Sequence, residues 1–266
     1  MTEDTLRPPR TGSMRYALLI AYDGTDFAGW WRQPGQPTIA GVFDEAFARL
    51  GELQAHVVGT SRTDAGVHAE GQVAHVDTLR SWSPAILLAA LNQHLPAAVV
   101  CRQVSEIPDH WDACHHAVMK TYRYRLDAGR VADPFCARFA WRTPFRLSLD
   151  ALQRAAEGIA GERDWRGFSK RGETRHLDGD LIRRIDSVTW SSDGAQLLCH
   201  VRGVGFTFRL VRSLVGAMVA VAHGTCTPAE LAAALRGEDS PAGMQQAPAQ
   251  GLCLEHIQHS PSPIWS

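Results

Sequence analysis

The sequence predicts an α+β fold of two halves with a mainly antiparallel sheet, and three observations carry that prediction. Strand-like and helix-like runs alternate along the chain. A two-residue turn signal, Asp193-Gly194, joins two apolar runs directly, as only antiparallel strands allow. The order of strand, helix and strand then occurs twice, in two stretches that share a pattern but no residue repeat. The break falls near Glu106–Asp112, giving halves of 14–108 and 109–266 behind a disordered tail, 1–13.

The elements follow in order. Arg15 to Tyr22 is a nearly continuous apolar run ending at Asp23-Gly24, the pattern of a buried strand and a turn. Thr38 caps a helix with Val42, Phe43, Ala46, Phe47 and Leu50 on one face. A short strand, Ala55 to Gly59, enters the Thr60–His68 loop, and Gln72 to Asp77 leaves it as another strand. Ser83-Pro84 opens a helix through Leu91, and Val99 to Val104 is a strand. In the second half Thr121 to Leu126 is an alternating strand, and Ser148 caps a helix through Ile159. Leu181 to Trp190 and Gln196 to Val201 form the hairpin. A long apolar helix spans Phe206 to Val221, and Thr227-Pro228 starts another through Leu235. A loop from Glu238 to Gln250 precedes a last strand, Gly251 to Ile257.

Composition narrows the class. At 266 residues and a formal net charge of −1, the chain is not a bulk polycation, so RNA binding must rest on local positive surface. Lys120 and Lys170 are its only lysines, and arginine, whose planar fork suits phosphates and bases, carries the rest of the positive charge. An arginine-rich genome would give the same bias. Six scattered cysteines without a Cys-x-x-Cys pair read as reduced thiols, mostly buried. Polar Met1 to Met14 reads as no signal peptide, and Leu210 to Ala222 is too short to span a bilayer. The expectation is a cytoplasmic protein with no membrane partner.

Four constellations carry candidate chemistry. Gly59-Thr-Ser-Arg-Thr-Asp-Ala-Gly-Val-His68 packs small residues around one arginine, Arg62, and one carboxylate, Asp64. Its plain alternative is an Asx-turn. Lys120-Thr-Tyr-Arg-Tyr-Arg125 places Tyr122 and Tyr124 on one strand face and the arginines on the other, a pattern for base stacking or an ordinary half-buried strand. Arg209 and Arg212 interrupt an apolar helix at i and i+3, either paired with a carboxylate or extended to solvent. Asp109-His-Trp-Asp-Ala-Cys-His-His116 gathers metal-ligand types, but without the spacing of a known cage. Neither a P-loop nor a Gly-x-Gly-x-x-Gly run occurs.

Together these segments resemble the TruA family of tRNA pseudouridine synthases. The likeness rests on Arg62-Thr-Asp-Ala-Gly-Val-His68 followed by Gly71-Gln-Val-Ala-His75, and on Ala21-Tyr-Asp-Gly-Thr-Asp-Phe-Ala-Gly-Trp30. Leu95-Pro96, Tyr122-Arg-Tyr124, Gly161-Glu-Arg-Asp164 with Phe168, Val211-Arg212 with Val215-Gly216, and Gly251-Leu252 fall in the family's order, over roughly Met14 to Ile257. The resemblance implies two α/β halves with sheets joined across a central RNA-binding cleft, a homodimer, and isomerisation of uridine to pseudouridine at positions 38–40 of the tRNA anticodon arm. It implies no cofactor and no metal. By similarity Asp64 is the essential carboxylate, Tyr122 packs on the target base, Arg212 pairs with Asp64, and Arg62 helps extrude the nucleotide.

The sequence departs from the pattern at four places. Trp31 and Ala40 stand where glutamines are usual, and Leu210 stands for a methionine. Trp111-Asp-Ala-Cys-His-His116 replaces a Phe-His-Ala-Arg-Phe-Ser stretch, so Cys114 stands where an arginine is expected to touch RNA. These changes spare the proposed catalytic set and bear on tRNA choice. Two rival classes remain: a catalytically silent RNA binder on this scaffold, and a hydrolase. The hydrolase would use a metal at Asp109–His116, or a second acid such as Glu70 or Asp77 beside Asp64.

Overall fold

The computed structural model describes residues 12–143, 146–168, 181–238 and 243–265. Most of the expected tail, Lys170 and part of the Glu238–Gln250 loop lie outside the described residues. In chain order the elements are β1 (Met14–Tyr22), α1 (Ile39–Arg49), β2 (Val58–Gly59), β3 (His68–Thr78), α2 (Pro84–His94), β4 (Val99–Ile107) and β5 (Ala117–Asp127). Then come β6 (Trp141–Arg142), α3 (Leu149–Ala156), β7 (Gly161–Asp164), β8 (Ile182–Asp193), β9 (Gln196–Gly203), α4 (Leu210–His223), α5 (Pro228–Leu235) and β10 (Leu252–His259). The class is the mixed, mainly antiparallel one that the sequence predicts.

Two units are distinguishable, one running through Val118 and resuming at Leu254, the other spanning Met119–Cys253. In the first, the strands lie in the order β4-β1-β3-β10, with β2 on β3. β1 is central and pairs antiparallel with both neighbours, which is why it reads as an almost unbroken apolar run. The Thr38 hydroxyl accepts the Gly41 N–H at 3.2 Å and caps α1, whose Phe43, Ala46 and Phe47 are fully buried. Val42 and Leu50, expected on the same face, are only half-buried. α2 buries Leu87 and Leu91 and packs on β4 and α1. Its Ser83 makes no side-chain cap, so the start rests on Pro84, whose fixed φ suits a first turn.

In the second unit the order is β5-β9-β8-β7, with β6 parallel to β5. The hairpin turns at Gly194, where φ is +57°. α3 is capped by Ser148, packs on α4 and β8, and ends at Ala156, short of the expected Ile159. Gly158, with φ +76°, marks the exit. α5 starts with the reciprocal Thr227–Glu230 capping box.

The largest correction concerns α4. The sequence predicts its start at Phe206, but it starts at Leu210, because Arg209 takes the left-handed conformation (φ 59°, ψ 10°) and cannot propagate a right-handed helix. Arg209 and Arg212 therefore do not share a helix face.

Candidate active site

In the first unit the Asp64 loop is pinned on one side by the turn after β1. The Trp30 N–H donates to the Thr63 carbonyl at 3.1 Å, and the Gly66 N–H to Phe27 at 3.3 Å. The loop closes on itself where Val67 N–H meets the Asp64 carbonyl at 3.1 Å. Two glycines make the approach possible. At Gly24 a β-carbon would run into the Val67 carbonyl oxygen. At Gly29 it would lie 2.6 Å from the Thr63 oxygen, on a backbone already at φ +100°. The Asp-Gly-Thr-Asp-Phe-Ala-Gly-Trp segment is thus a backbone clamp on the loop that carries Asp64.

A buried polar web holds the other side. Gln72, fully buried on β3, accepts the Ser61 N–H at 3.2 Å and donates to the Ser61 carbonyl at 2.6 Å. The hydroxyls of Tyr22 and Thr63 are bonded at 2.8 Å, and the Gly24 N–H donates to His68 Nδ1 at 3.0 Å. The Thr60 hydroxyl sits 2.8 Å from the Val73 carbonyl and 2.9 Å from that of Ala113. Burying the Gln72 amide and the Tyr22, Thr60 and Thr63 hydroxyls is tolerable because each is bonded, and it leaves the loop little freedom. Asp64 itself is half-buried and Arg62 exposed, with the Arg62 guanidinium 4.4 Å above the Trp31 ring. Sequence reading singled out neither Gln72 as a brace nor Trp31 as a platform. An amide on a strand otherwise rich in small and apolar residues was the available signal for Gln72.

The Asp109–His116 segment builds a turn instead of gathering ligands. Asp112 accepts the Cys114 and His115 N–H groups at 2.7 and 2.9 Å, and the Cys114 thiol donates to the Gly59 carbonyl at 3.3 Å. Trp111 is buried, stacks on His116 at 5.7 Å and donates to the Pro261 carbonyl. Among the described residues, no three His, Cys, Asp or Glu side chains group as a metal site would require. Asp77 is engaged by a two-pronged pair with Arg15 at 2.6 and 2.8 Å. His75 is buried, and its Nδ1 accepts the Ala113 N–H at 3.1 Å. Desolvation pulls its pKa down to about 4, against the pull of nearby Asp112.

In the second unit β5 places Tyr122 and Tyr124 on its buried face and leaves Arg123 and Arg125 half-buried on the other. Tyr122 meets the edge of Phe206 at 5.0 Å and 82°. The Tyr124 hydroxyl donates to the Pro248 carbonyl at 2.7 Å. Burial pushes that phenol well above the ordinary range, with Arg212 opposing. Gly251 faces the Tyr124 ring so closely that a β-carbon would lie 2.5 Å away. Arg212 is in the first turn of α4, half-buried, its Nε donating to Ala247 at 2.8 Å while the Ala247 N–H returns to the Arg212 carbonyl at 3.1 Å. That first turn holds no acidic residue, so the positive end of the helix adds to the arginine. Three cysteines are buried (Cys101, Cys199, Cys226), three are half-buried, and all six are free thiols.

Comparison with known proteins supplies the family. Residues 18–115 and 155–260 match the family described as tRNA pseudouridine synthase. Asp64, Arg62 and Arg212 fall inside those ranges, whereas Tyr122 falls in the unmatched stretch between them. A tRNA pseudouridine synthase A of Brevibacillus brevis is 37% identical over 91% of this chain and 98% of its own length. That of Syntrophotalea carbinolica is 36% identical over 92% and 96%, and that of Cereibacter sphaeroides 34% identical over 94% and 99%.

Proposed function

This chain belongs to the tRNA pseudouridine synthase family, and from that premise we propose that it isomerises uridines at positions 38–40 of the tRNA anticodon stem-loop, with Asp64 as the catalytic carboxylate. The observation that carries the assignment is the double restraint of the Asp64 loop. A carboxylate on a loop gripped by main-chain bonds from one side and by Gln72 from the other is held at a fixed place.

The reaction is internal to one nucleoside. The bond from C1′ to N1 breaks, the uracil turns, C1′ bonds to C5, the C5 proton leaves and N1 gains one. A carboxylate attacking C1′, or one removing a proton from C2′ to give a glycal, serves equally, and both routes need the ionised acid. The target must leave its stack, which costs a few kcal/mol. We assign Arg62 to the vacated space and its phosphate, Tyr122 to the face of the freed base, and Arg212 to the counter-charge of the site. No redox partner enters this balance of atoms.

The working form is proposed as a cytoplasmic homodimer. No helix among the described residues is long and apolar enough to cross a membrane.

The test is Asp64→Asn. The loop is gripped through main-chain atoms and the side chains of Tyr22, Thr63 and Gln72, so the fold and tRNA binding are expected to persist. Pseudouridine formation on tRNA is expected to fall by about 10³-fold or more. Wild-type turnover in this variant would rule Asp64 out. Modification mapped outside the anticodon arm would rule out the position.

A further inference from the structure

Just past the end of β5 the second unit carries a concentration of positive charge that the proposed chemistry does not use. A cavity of about 840 Å³ opens there, lined by Gly129, Arg130, Arg142, Thr143, Arg146 and Leu147 among others. Arg142 donates to Asp127 at 2.7 Å and to the Gly129 carbonyl at 3.0 Å, so its charge is matched and it braces the turn that carries Arg130. Arg130 and Arg146 are exposed, and among the described residues no carboxylate pairs with either. Residues 127–147 hold four arginines against two aspartates, an excess of two positive charges in a chain whose net charge is −1. The same loop exposes Phe135 at 90%. Exposed arginines on a stretch of chain that also exposes an aromatic suit a nucleic acid strand better than an acidic peptide, because the ring offers a stacking face. The stretch lies wholly within the part of the chain that the family match leaves uncovered.

We propose that this pocket is a second seat for the tRNA substrate, with Arg130 and Arg146 on backbone phosphates and Arg142 as the strut behind them. The proposal rests on tRNA being the substrate. Six residues of extended chain separate Tyr122 from Ala128, about 20 Å at ~3.3 Å per residue. A ligand that engages both is therefore a polyanion several nucleotides long, and a mononucleotide cannot bridge them.

The experiment measures tRNA binding across a potassium chloride series, and pseudouridine formation at saturating tRNA, for wild type and for the double variant Arg130→Ala/Arg146→Ala. Both side chains are exposed, so the fold tolerates their loss. Removing two phosphate contacts is expected to weaken tRNA binding about tenfold at moderate salt. It should also flatten the slope of log K against log salt by about two. The rate at saturation should not move, nor should binding of uridine monophosphate. The control is Arg154→Ala/Arg236→Ala, which removes two exposed arginines from α3 and the end of α5. Equal losses in the control, or an unchanged slope in the pocket variant, would overturn the proposal. If wild-type protein binds tRNA yet forms no pseudouridine, the functional reading fails, while the binding comparison still decides the pocket.

Discussion

Acid should unfold this protein partly through one histidine. His75 is 6% exposed, its Nδ1 accepts the Ala113 N–H, and Ala113 also offers its carbonyl to Thr60 at the base of the Asp64 loop. Burial pulls its pKa from the ordinary 6.5 to about 4, outweighing the attraction of Asp112 and Asp77, with Arg15 and His115 acting in the same direction as burial. The sign follows from linkage. Above pH 6.5 the ring is neutral in both states, and its contribution to stability is complete. As pH falls from 6.5 towards 4 the unfolded chain takes up a proton that the native ring refuses, and stability drops by about 1.4 kcal/mol per pH unit. At pH 5 the accumulated loss is about 2 kcal/mol, and below pH 4 it levels off near 3 kcal/mol. The comparison variant is His75→Asn, whose amide oxygen keeps an acceptor for Ala113 without titrating. Urea unfolding of both proteins at pH 7.5 and pH 5 isolates the effect from other carboxylates and histidines. Wild type should lose about 2 kcal/mol more than the variant. Equal losses would refute a buried neutral His75 and the geometry built on it.

Three further perturbations address the site. Gly29→Ala forces a β-carbon against the Thr63 oxygen on a backbone at φ +100°, and should destabilise by about 1–3 kcal/mol, read as a lowered melting temperature together with lost pseudouridine formation. Trp31→Ala removes the ring under Arg62 and should raise KM for tRNA about two- to fivefold with kcat unchanged, while Trp31→Phe restores most of the loss. Arg209→Gly relieves a left-handed arginine while keeping the turn that starts α4, and should raise stability by about 0.5 kcal/mol in urea unfolding with tRNA binding unchanged by filter assay.

On its own residues the Asp64 loop reads first as an Asx-turn, and it stands out as a candidate site only through the family motif, with the Tyr122 and Arg212 segments following in order. Its clamp was not legible. That Gly24 and Gly29 face Val67 and Thr63 is a tertiary fact, and a glycine in sequence announces freedom without saying what it must avoid. Asp109–His116 is a case of composition without geometry. It gathers metal-ligand types without cage spacing, and Asp112 uses one oxygen, Oδ1, on the N–H groups two and three residues ahead, an Asx-type turn that any helix-shy sequence can form. Most of the strand and helix order could be read, from a continuous apolar run in β1 and alternation in β9, whereas the two-residue β6 and the four-residue β7 give no periodic signal to read.

The misplaced start of α4 is the more instructive failure. From Phe206 to Val215 apolar residues recur on both sides of Arg209 with no glycine or proline between them, so pattern alone extends the helix over Arg209. A left-handed arginine costs about 1–2 kcal/mol relative to a helical one, and the chain accepts this at a point where Phe206 has turned away to meet Tyr122. The consequence is chemical. Shortening the helix by a turn moves Arg212 into its first turn, where the helix N-terminus and the side chain act with the same sign and the turn itself holds no acidic residue. Had the helix begun at Phe206, Arg212 would sit in its second turn, away from the dipole's end. Local strain of this kind persists where the rest of the structure enforces it, and its product here is a cation anchored by Ala247 at the head of a helix. Arg209→Gly keeps the left-handed angle without its cost, so Arg212 should stay in the first turn and tRNA binding through it should persist. Loss of binding in this variant would refute the claim that Arg209 acts through its backbone angle.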